Sequence, residues 1–327
     1  MTKKIAMIKR RRWPCLAALI AFSLLAHAQT YPSRPIRMLV PFPAGGSTDL
    51  AARSLGVKLS EALNTPIVVE NRLGASGNIG IESAARSSAD GYMLLMAPAA
   101  FATNPAFFPN LPWDPIRDFA PISMVATVPI IVVVHPSLPV KNVRELIAYS
   151  KANPGKLNMA SPGGATLARL SGEMFRTAAA VDWVTVHYKG GPPAMNAMLS
   201  GEAQVMFAGI SDVFAQVKAG RLRALAVGTL KRSGVVPDLP TLNESGVPGY
   251  DVSIWQALLA PAGTPKEIIA RLNTETVKIL ATPEAKERFL SFGTDAVSST
   301  PEQLSQFLRD EVAKIRKVVK DIGAKIE

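Results

Sequence analysis

The chain contains 327 residues, with 36 Lys and Arg against 25 Asp and Glu and a formal net charge of +11. Its length exceeds what one hydrophobic core comfortably supports, so we expect two domains. The basic residues are scattered and lack the basic stripe with interleaved aromatic residues that nucleic-acid binding requires, so that class of protein is excluded.

The N-terminus has the pattern of a secretory signal peptide. Six basic residues precede the apolar run 15–25, which Ala26, His27 and Ala28 follow as an A-x-A cleavage site. We predict that residues 1–28 are removed on export to the periplasm. The remaining chain then has 30 basic and 25 acidic residues and no cysteine, which fits a periplasmic protein whose core makes disulfides unnecessary. No later segment has the roughly 18 uninterrupted apolar residues that a membrane span requires.

Strands and helices alternate in the predicted order of elements, which is typical of α/β proteins with parallel sheets covered on both faces. The predicted strands are 36–42, 67–70, 92–96, 130–134, 157–160, 183–188, 204–208 and 223–228.

The C-terminal part is predicted to be helical. Thr264 and Thr300 each begin a capping box with proline at the first helical position, and Thr282 begins a plainer helix start. The terminal helix has one apolar face, which predicts packing against a domain. That face carries Val312, Ile315, Val319 and Ile322.

The first predicted strand ends in a Gly-Gly-Ser-Thr turn, Gly45 to Thr48, that opens a helix. Glycine lets backbone amides approach a ligand closely, and the first helical turn presents unpaired N–H donors and the positive end of the helix dipole. The turn would suit a carboxylate or a phosphate. It is equally typical of an ordinary βα turn in which Gly46 or Ser47 caps the helix.

Three further loops share the format of strand, small residues and helix start: 71–78, 161–166 and 188–195. Such loops gather at the carboxyl ends of strands in open α/β sheets, where ligands bind. Their distribution over two halves of the chain predicts a cleft with two walls. None matches a dinucleotide-binding or Walker-type motif, so we do not expect those forms of phosphate binding.

Short motifs that follow one another along nearly the whole exported chain carry a family resemblance. They are 31–36, 41–49, 69–78, 89–92, 188–190, 219–227, 240–246 and 260–265. In this order they resemble the Bug family, the periplasmic solute receptors of tripartite tricarboxylate transporters.

The resemblance implies a type II periplasmic binding fold, in which two α/β lobes are joined by two crossing strands and hold one small carboxylate between them. Lobe 1 would comprise residues 29–130 and 253–327, and lobe 2 residues 131–252. The crossings would lie at or near 130–134 and 252–257. Hinge closure about them would bury the ligand and change the face shown to a membrane permease, without bond chemistry.

The resemblance also implies which residues contact the ligand. From lobe 1 they would be Phe42, Gly45, Gly46, Ser47, Thr48, Ala75, Ser76 and Asn78. From lobe 2 they would be Ser161, Gly163, Gly164, Ala165, Thr166, Tyr188 and Gly191. Several N–H donors and helix termini can neutralise a carboxylate without a fixed cation. No cofactor and no metal is implied, and the protein is expected to be a monomer.

Three charged residues near these loops need separate interpretation. Asp49 would repel an anion if it faced the cleft, so we interpret it as satisfying amides at the helix N-terminus. Lys189 could counter a carboxylate, although a solvated lysine is the commoner outcome. Asp212 could line the cleft and accept an ammonium group from an amino-acid ligand, but we favour a role in loop capping.

Two departures from the family pattern bear on the ligand. Residues 97–102 carry alanine or proline where relatives often have serine or glycine, and Gly191 stands where serine is frequent. Both changes remove hydroxyl donors. We therefore expect a cleft that favours an aromatic or short mono- or dicarboxylate over citrate. Gln204 replaces an aspartate common in the family, and the sequence suggests no consequence.

Two other classes of function are open to this sequence. A secreted enzyme finds little support, because no G-x-S-x-G or H-E-x-x-H motif, exported cysteine or metal-ligand spacing is present, although two distant carboxylates could still meet as in a hydrolase. A periplasmic sensor would present its closed form to a membrane kinase instead of a permease. The residues do not separate sensing from transport.

Overall fold

A computed structural model describes residues 31–163, 166–188 and 191–323. The strands are β1 (Ile36–Val40), β2 (Ile67–Asn71), β3 (Met93–Pro98), β4 (Phe119–Val134), β5 (Asn158–Ser161), β6 (Val184–His187), β7 (Val205–Gly209), β8 (Arg223–Val227), β9 (Ser253–Pro261) and β10 (Asp295–Ala296). The helices are α1 (Ser47–Leu63), α2 (Asn78–Ala85), α3 (Ala100–Phe107), α4 (Val143–Ala152), α5 (Leu167–Ala178), α6 (Gly191–Ser200), α7 (Ile210–Lys218), α8 (Lys266–Ala281), α9 (Pro283–Ser291) and α10 (Pro301–Ile322). The predicted signal peptide lies outside the described residues, as do Gly164, Ala165 and Lys189.

The first lobe is built on β1, which pairs in parallel with β2 on one side and β3 on the other. Strand β9 then pairs antiparallel with β3, and β4 antiparallel with β9. Because the parallel strands end at the same edge, the β1–α1 and β2–α2 loops and the start of α3 gather there. This edge carries the predicted ligand residues of lobe 1.

Strand β4 runs through both lobes. Its part from Phe119 to Pro129 pairs with β9, and its part from Ile130 to Val134 pairs with β7 and β8. In the second lobe β5 lies between β6 and β7, and these three strands are parallel. The result is the two-lobed α/β architecture that the sequence predicts. The lobe boundaries stay a prediction.

Helices cover both faces of the sheet. In the first lobe, Leu55 and Leu59 of α1 and Leu272 of α8 are buried in one cluster, while α2, α3 and α10 pack on the opposite face. The predicted apolar face of α10 is confirmed, since Val312 and Ile315 are buried in that second cluster. Within the described part of the chain, no helix combines the length and apolarity needed to cross a membrane.

The structure corrects two predicted details. The predicted strand 130–134 is only the end of β4, a 16-residue strand that begins at Phe119. Prolines at 121 and 129 argue against a continuous strand in the sequence, but the register shifts beside Pro121 let the strand continue. Thr264 does not cap α8, because its hydroxyl donates to the Pro261 carbonyl at 2.8 Å. The capping box at Thr300 is confirmed.

Candidate functional site

The β1–α1 loop leads into the N-terminus of α1. Gly46 is the N-cap residue, and because it has no side chain, no side-chain oxygen caps the helix. The amides of Ser47 and Thr48 belong to the first turn, where helical geometry provides no carbonyl partner. Gly45 and Gly46 are exposed and Ser47 is half-buried. The loop thus offers backbone donors and a positive dipole end at the carboxyl edge of the sheet.

Asp49 is buried and organises this loop. Its Oδ2 accepts hydrogen bonds from the Gly45 amide and from Arg53 Nε, both at 2.9 Å, and its Oδ1 accepts one from Asn71. Burial alone would raise the pKa of the Asp49 carboxyl, but these bonds outweigh it and hold the pKa below its ordinary value. The sequence predicts that Asp49 satisfies amides of the first helical turn, but the amide that it binds, that of Gly45, precedes α1. The Gly45 amide, predicted to face the ligand, is therefore occupied here.

Gln256 of β9 supports the same loop from beneath. Its Nε2 donates to Ser47 Oγ at 3.3 Å, and the residue is fully buried. Since the Ser47 oxygen accepts this bond, its own hydroxyl hydrogen is left to donate to another group. Gln256 Oε1 is buried and accepts no hydrogen bond from the described residues.

The β2–α2 loop contains a left-handed turn. Ala75 and Ser76 have φ values of 48° and 56°, and Gly74 and Gly77 flank them with positive φ as well. For non-glycine residues this conformation costs about 1–2 kcal/mol each, so surrounding contacts must hold it. Asn104 of α3 provides such contacts, because its Nδ2 donates to the Ser76 carbonyl at 3.0 Å and to Asn78 Oδ1 at 2.9 Å.

In the second lobe, the described part of the β5–α5 loop is closely tied to the β6–α6 loop. Gly163 has a φ of +74°, and a Cβ at this position would lie 2.7 Å from the Tyr188 carbonyl oxygen. Thr166 caps α5 and donates to the Gly163 carbonyl at 3.0 Å. The Tyr188 amide donates to the Ser161 carbonyl. Ser161, Gly163, Thr166 and Tyr188 therefore lie together, and their contact with a ligand stays a prediction.

In the β6–α6 loop, the Tyr188 side chain does not point to the carboxyl edge where the ligand is expected. The Tyr188 hydroxyl donates to Glu202 Oε1 at 2.8 Å, and Glu202 lies beside Asn158 at the amino end of β5. The Tyr188 ring is thus directed away from the carboxyl edge, and its backbone is what lies at that edge. Gly191 begins α6 and is exposed, and apart from its chain neighbours and the backbone of α6 no described atom lies within 4 Å of the position that a Cβ would occupy there.

Asp212 lies in the first turn of α7, directly after β7. Its carboxylate makes no hydrogen bond or ion pair within the described residues, so the favoured capping role is wrong; the N-cap residue of α7 is Gly209, without a side-chain cap. Asp212 Oδ2 lies 3.4 Å from the Cβ position of Gly209, which also touches Ile254 of β9 and Val128 of β4. Asp212 is exposed to solvent, and partial desolvation by the protein on one side raises the pKa of its carboxyl group.

Sequence reasoning missed Asn104 and Gln256. Both are fully buried polar residues, and buried amides in otherwise apolar elements are the signal that could have identified them. Among residues 31–163, 166–188 and 191–323, no three His, Cys, Asp or Glu side chains converge as they would around a metal ion. A shallow groove between α1 and β2, lined by Arg53, Val57 and Val69 among others, contains none of the predicted ligand residues.

Two α/β lobes, each with glycine-bearing loops at the carboxyl ends of its parallel strands, are the architecture of periplasmic binding proteins. The comparisons specify the family. Residues 51–324 match the model of the tripartite tricarboxylate transporter family receptor, so the chain belongs to this family. Protein BugT of Bordetella pertussis is 39% identical over 304 residues, which cover 92% of this chain and 93% of BugT.

Two solved structures of similar fold carry ligands in their descriptions. Rpa4515 of R. palustris with adipate is 33% identical, has a TM-score of 0.77, and is matched over 91% of this chain and all of its own. MatC of Rhodopseudomonas palustris with bound malate is 29% identical, has a TM-score of 0.71, and is matched over 88% of this chain and all of its own.

Proposed function

We propose that the protein is a periplasmic receptor that captures a small organic carboxylate by lobe closure and delivers it to a tripartite tricarboxylate-type membrane transporter. The observation that carries the proposal is the uncapped N-terminus of α1, with the Ser47 hydroxyl free to donate. Backbone amides, a helix dipole and a hydroxyl together stabilise a carboxylate without a fixed cation. The ligands of Rpa4515 and MatC, adipate and malate, are both small dicarboxylates.

The second lobe offers a matching set of groups for the other end of the ligand. Thr166 caps α5 and Gly191 begins α6, so two helix N-termini lie at the carboxyl edge of the second-lobe strands. The segment 97–102 at the end of β3 carries no hydroxyl, and Ala100 is its one residue that is only partly buried. A ligand with few hydroxyl groups, such as an aromatic or short mono- or dicarboxylate, suits this cleft better than citrate.

Hinge closure is supported by the shared strand. Because β4 belongs to both lobes and β9 runs beside it, the lobes are connected by few strands and can rotate about them. A closed form would bury the carboxylate and present a new surface to the permease subunits. The function requires no bond chemistry, and the solute-binding relatives support a receptor without enzymatic activity.

The test begins with the full chain expressed with its own leader and recovered from the periplasm. A mass that lacks residues 1–28 is the expected outcome. The protein is then unfolded and refolded to remove carried-over ligand and heated with aliphatic, aromatic and amino-acid carboxylates. A ligand at about one hundred times its dissociation constant adds about 2.7 kcal/mol, which raises the melting temperature by roughly 5–10 °C. A flat response to every acid from folded protein would contradict the proposal.

Two further measurements test the finer claims. Calorimetric titration compares citrate with benzoate, and citrate binding as tight as or tighter than benzoate would contradict the expected ligand class. Small-angle X-ray scattering with and without the best ligand tests closure, because a closed form has a smaller radius of gyration. Ser47→Ala is the matched variant that should weaken binding while leaving the ligand-free scattering curve unchanged.

A further inference from the structure

We propose that Asp212 is a specificity-determining residue of the cleft and that the preferred ligand carries a positively charged nitrogen beside its carboxylate. This inference rests on the proposed function and names the substrate class of the same cleft. The starting observation is that Asp212 is a carboxylate without a partner among the described residues, at a cleft edge where an anion is to be bound.

Topology places Asp212 at the correct edge. Strands β5, β6 and β7 are parallel, so the residue that follows β7 lies at the same edge as Gly163 and Tyr188. This edge faces the first lobe, since Ser211 packs against Gly293, whose Cβ position is 3.4 Å from the Ser211 Cα. Asp212 therefore lies between the lobes, beside the strands that connect them.

Strand β9 connects Asp212 to the anion-binding loop. Ile254 lies with Asp212 around Gly209, and Gln256, two residues further along β9, donates to Ser47. Side chains two residues apart point to the same face of a strand and are separated by about 6.6–6.8 Å along it. Asp212 thus lies beside Ile254, and Ser47 lies beside Gln256 on the same face of β9. A small zwitterion can span the distance between these two neighbouring positions.

The charges and acceptors around this face favour a ligand that donates hydrogen bonds as well as accepting them. The other acid of the site, Asp49, is fully engaged by Arg53, Gly45 and Asn71 and cannot serve a ligand cation. Gln256 Oε1 is a second acceptor on the same strand face, buried and without a donor from the described residues. The ionised Asp212 carboxylate would repel a second carboxylate and attract an ammonium group placed beside it.

A carboxylate that faces a purely anionic ligand would weaken binding by repulsion. An ammonium group reverses the sign of that interaction, and a charge-assisted N–H···O bond in a closed, water-excluded cleft is stronger than one in water. The expected ligands are therefore α-amino acids with short or aromatic side chains, in keeping with the small organic carboxylates proposed above.

The experiment uses two pairs of acids that differ only in an amino group: succinate with L-aspartate, and 3-phenylpropionate with L-phenylalanine. Refolded full-length exported protein is titrated calorimetrically with each acid. The wild type should bind the amino member of at least one pair about tenfold or more tightly than its partner. Asp212→Asn should abolish this preference by weakening amino-acid binding, while the acid without an amino group binds equally or more tightly.

Asp182→Asn is the matched control. Asp182 is an exposed acid that precedes β6 in the same lobe, at the opposite edge of the sheet, so this variant removes the same charge away from the cleft. It should retain the preference of the wild type. Tighter binding of the acids without an amino group by the wild type would overturn this inference and leave the receptor function intact. A preference that persists in Asp212→Asn would also overturn it. If none of the four acids binds, the inference fails, and the receptor function is judged separately on the wider carboxylate panel.

Discussion

Asn104, buried on α3, donates a hydrogen bond from its side-chain nitrogen to the backbone carbonyl of Ser76 over 3.0 Å. The same nitrogen donates to Asn78 Oδ1, so one side chain holds both the left-handed turn of the β2–α2 loop and the first residue of α2. This relationship connects a core helix to residues predicted to contact the ligand. It implies that the shape of the loop depends on a residue that the ligand does not touch.

Replacing Asn104 with alanine should therefore weaken both stability and ligand binding. Two hydrogen-bond acceptors lose their buried donor, which costs about 1–3 kcal/mol of unfolding free energy. Without the donor, the strained turn relaxes and the affinity for the best carboxylate should fall about tenfold. Urea unfolding and calorimetric titration measure the two effects.

Asn142→Ala is the control for the Asn104 variant. Asn142 caps α4 in the other lobe by accepting from the Glu145 amide at 2.9 Å, and losing such a cap costs about 1 kcal/mol. It should lower stability comparably without changing affinity. Unchanged affinity in Asn104→Ala would show that the turn holds its shape without Asn104, or that it does not contact the ligand.

Gly163→Ala tests whether the two second-lobe loops act together. A Cβ at Gly163 would meet the Tyr188 carbonyl oxygen at 2.7 Å, and φ is +74°. The loops must separate, so we expect a stability loss of about 1–3 kcal/mol and a fall in affinity. Gly249→Ala is the control, because Gly249 has the same φ of +74° but open space around the Cβ position. Equal effects of both variants on affinity would contradict the prediction.

Gly191→Ser tests the expected low polarity of the cleft. The Cβ position of Gly191 has open space in the described part of the chain, so serine should fit at the start of α6 without loss of stability. The added hydroxyl is a hydrogen-bond donor for a polar acid. The ratio of citrate to benzoate affinity should therefore rise relative to the wild type. A ratio that does not change would place Gly191 outside the ligand contacts.

Much of this arrangement follows from local sequence patterns. The alternation of strands and helices, the glycine-bearing loops and the Thr300 capping box all depend on residues close in the chain, and the structure confirms them. The full length of β4 cannot be predicted from local patterns, because its partner β9 is distant in sequence. The register shift beside Pro121 depends on that pairing. Local propensity predicts a strand only over 130–134, whereas pairing with β9 extends β4 back to Phe119.

The supporting residues of the site were beyond sequence reasoning for the same reason. Gln256 meets Ser47 across 209 positions of the chain, and only the fold brings the two together. Gln204, for which the sequence suggests no role, accepts a hydrogen bond from the Asn158 amide at 2.9 Å and so ties the start of β5 to the turn before β7. Loops that bind ligands can be located from their composition, but the buried side chains that hold them require the tertiary contacts.

Asp49 predicts a specific pH dependence of stability. Its hydrogen bonds from Gly45, Arg53 and Asn71 outweigh burial and depress the pKa in the folded state below the ordinary 3.8. A depressed carboxyl pKa contributes stability above the pKa of the unfolded chain, and this contribution is lost as pH falls through the folded pKa. Asp49→Asn should therefore be less stable than the wild type by about 1–3 kcal/mol at pH 7, and the gap should narrow below about pH 4.

Urea unfolding of both proteins between pH 7 and pH 3 measures that gap. Asp182→Asn, which removes an exposed acid, should show almost no gap at any pH. A gap for Asp49→Asn that stays constant down to pH 3 would mean that the substitution acts through packing and not through charge. No gap at pH 7 would mean that the β1–α1 loop is held without Asp49. In the expected case, carboxylate binding weakens in Asp49→Asn as well, because an asparagine amide has one acceptor oxygen and cannot accept from both Gly45 and Asn71, which position the loop.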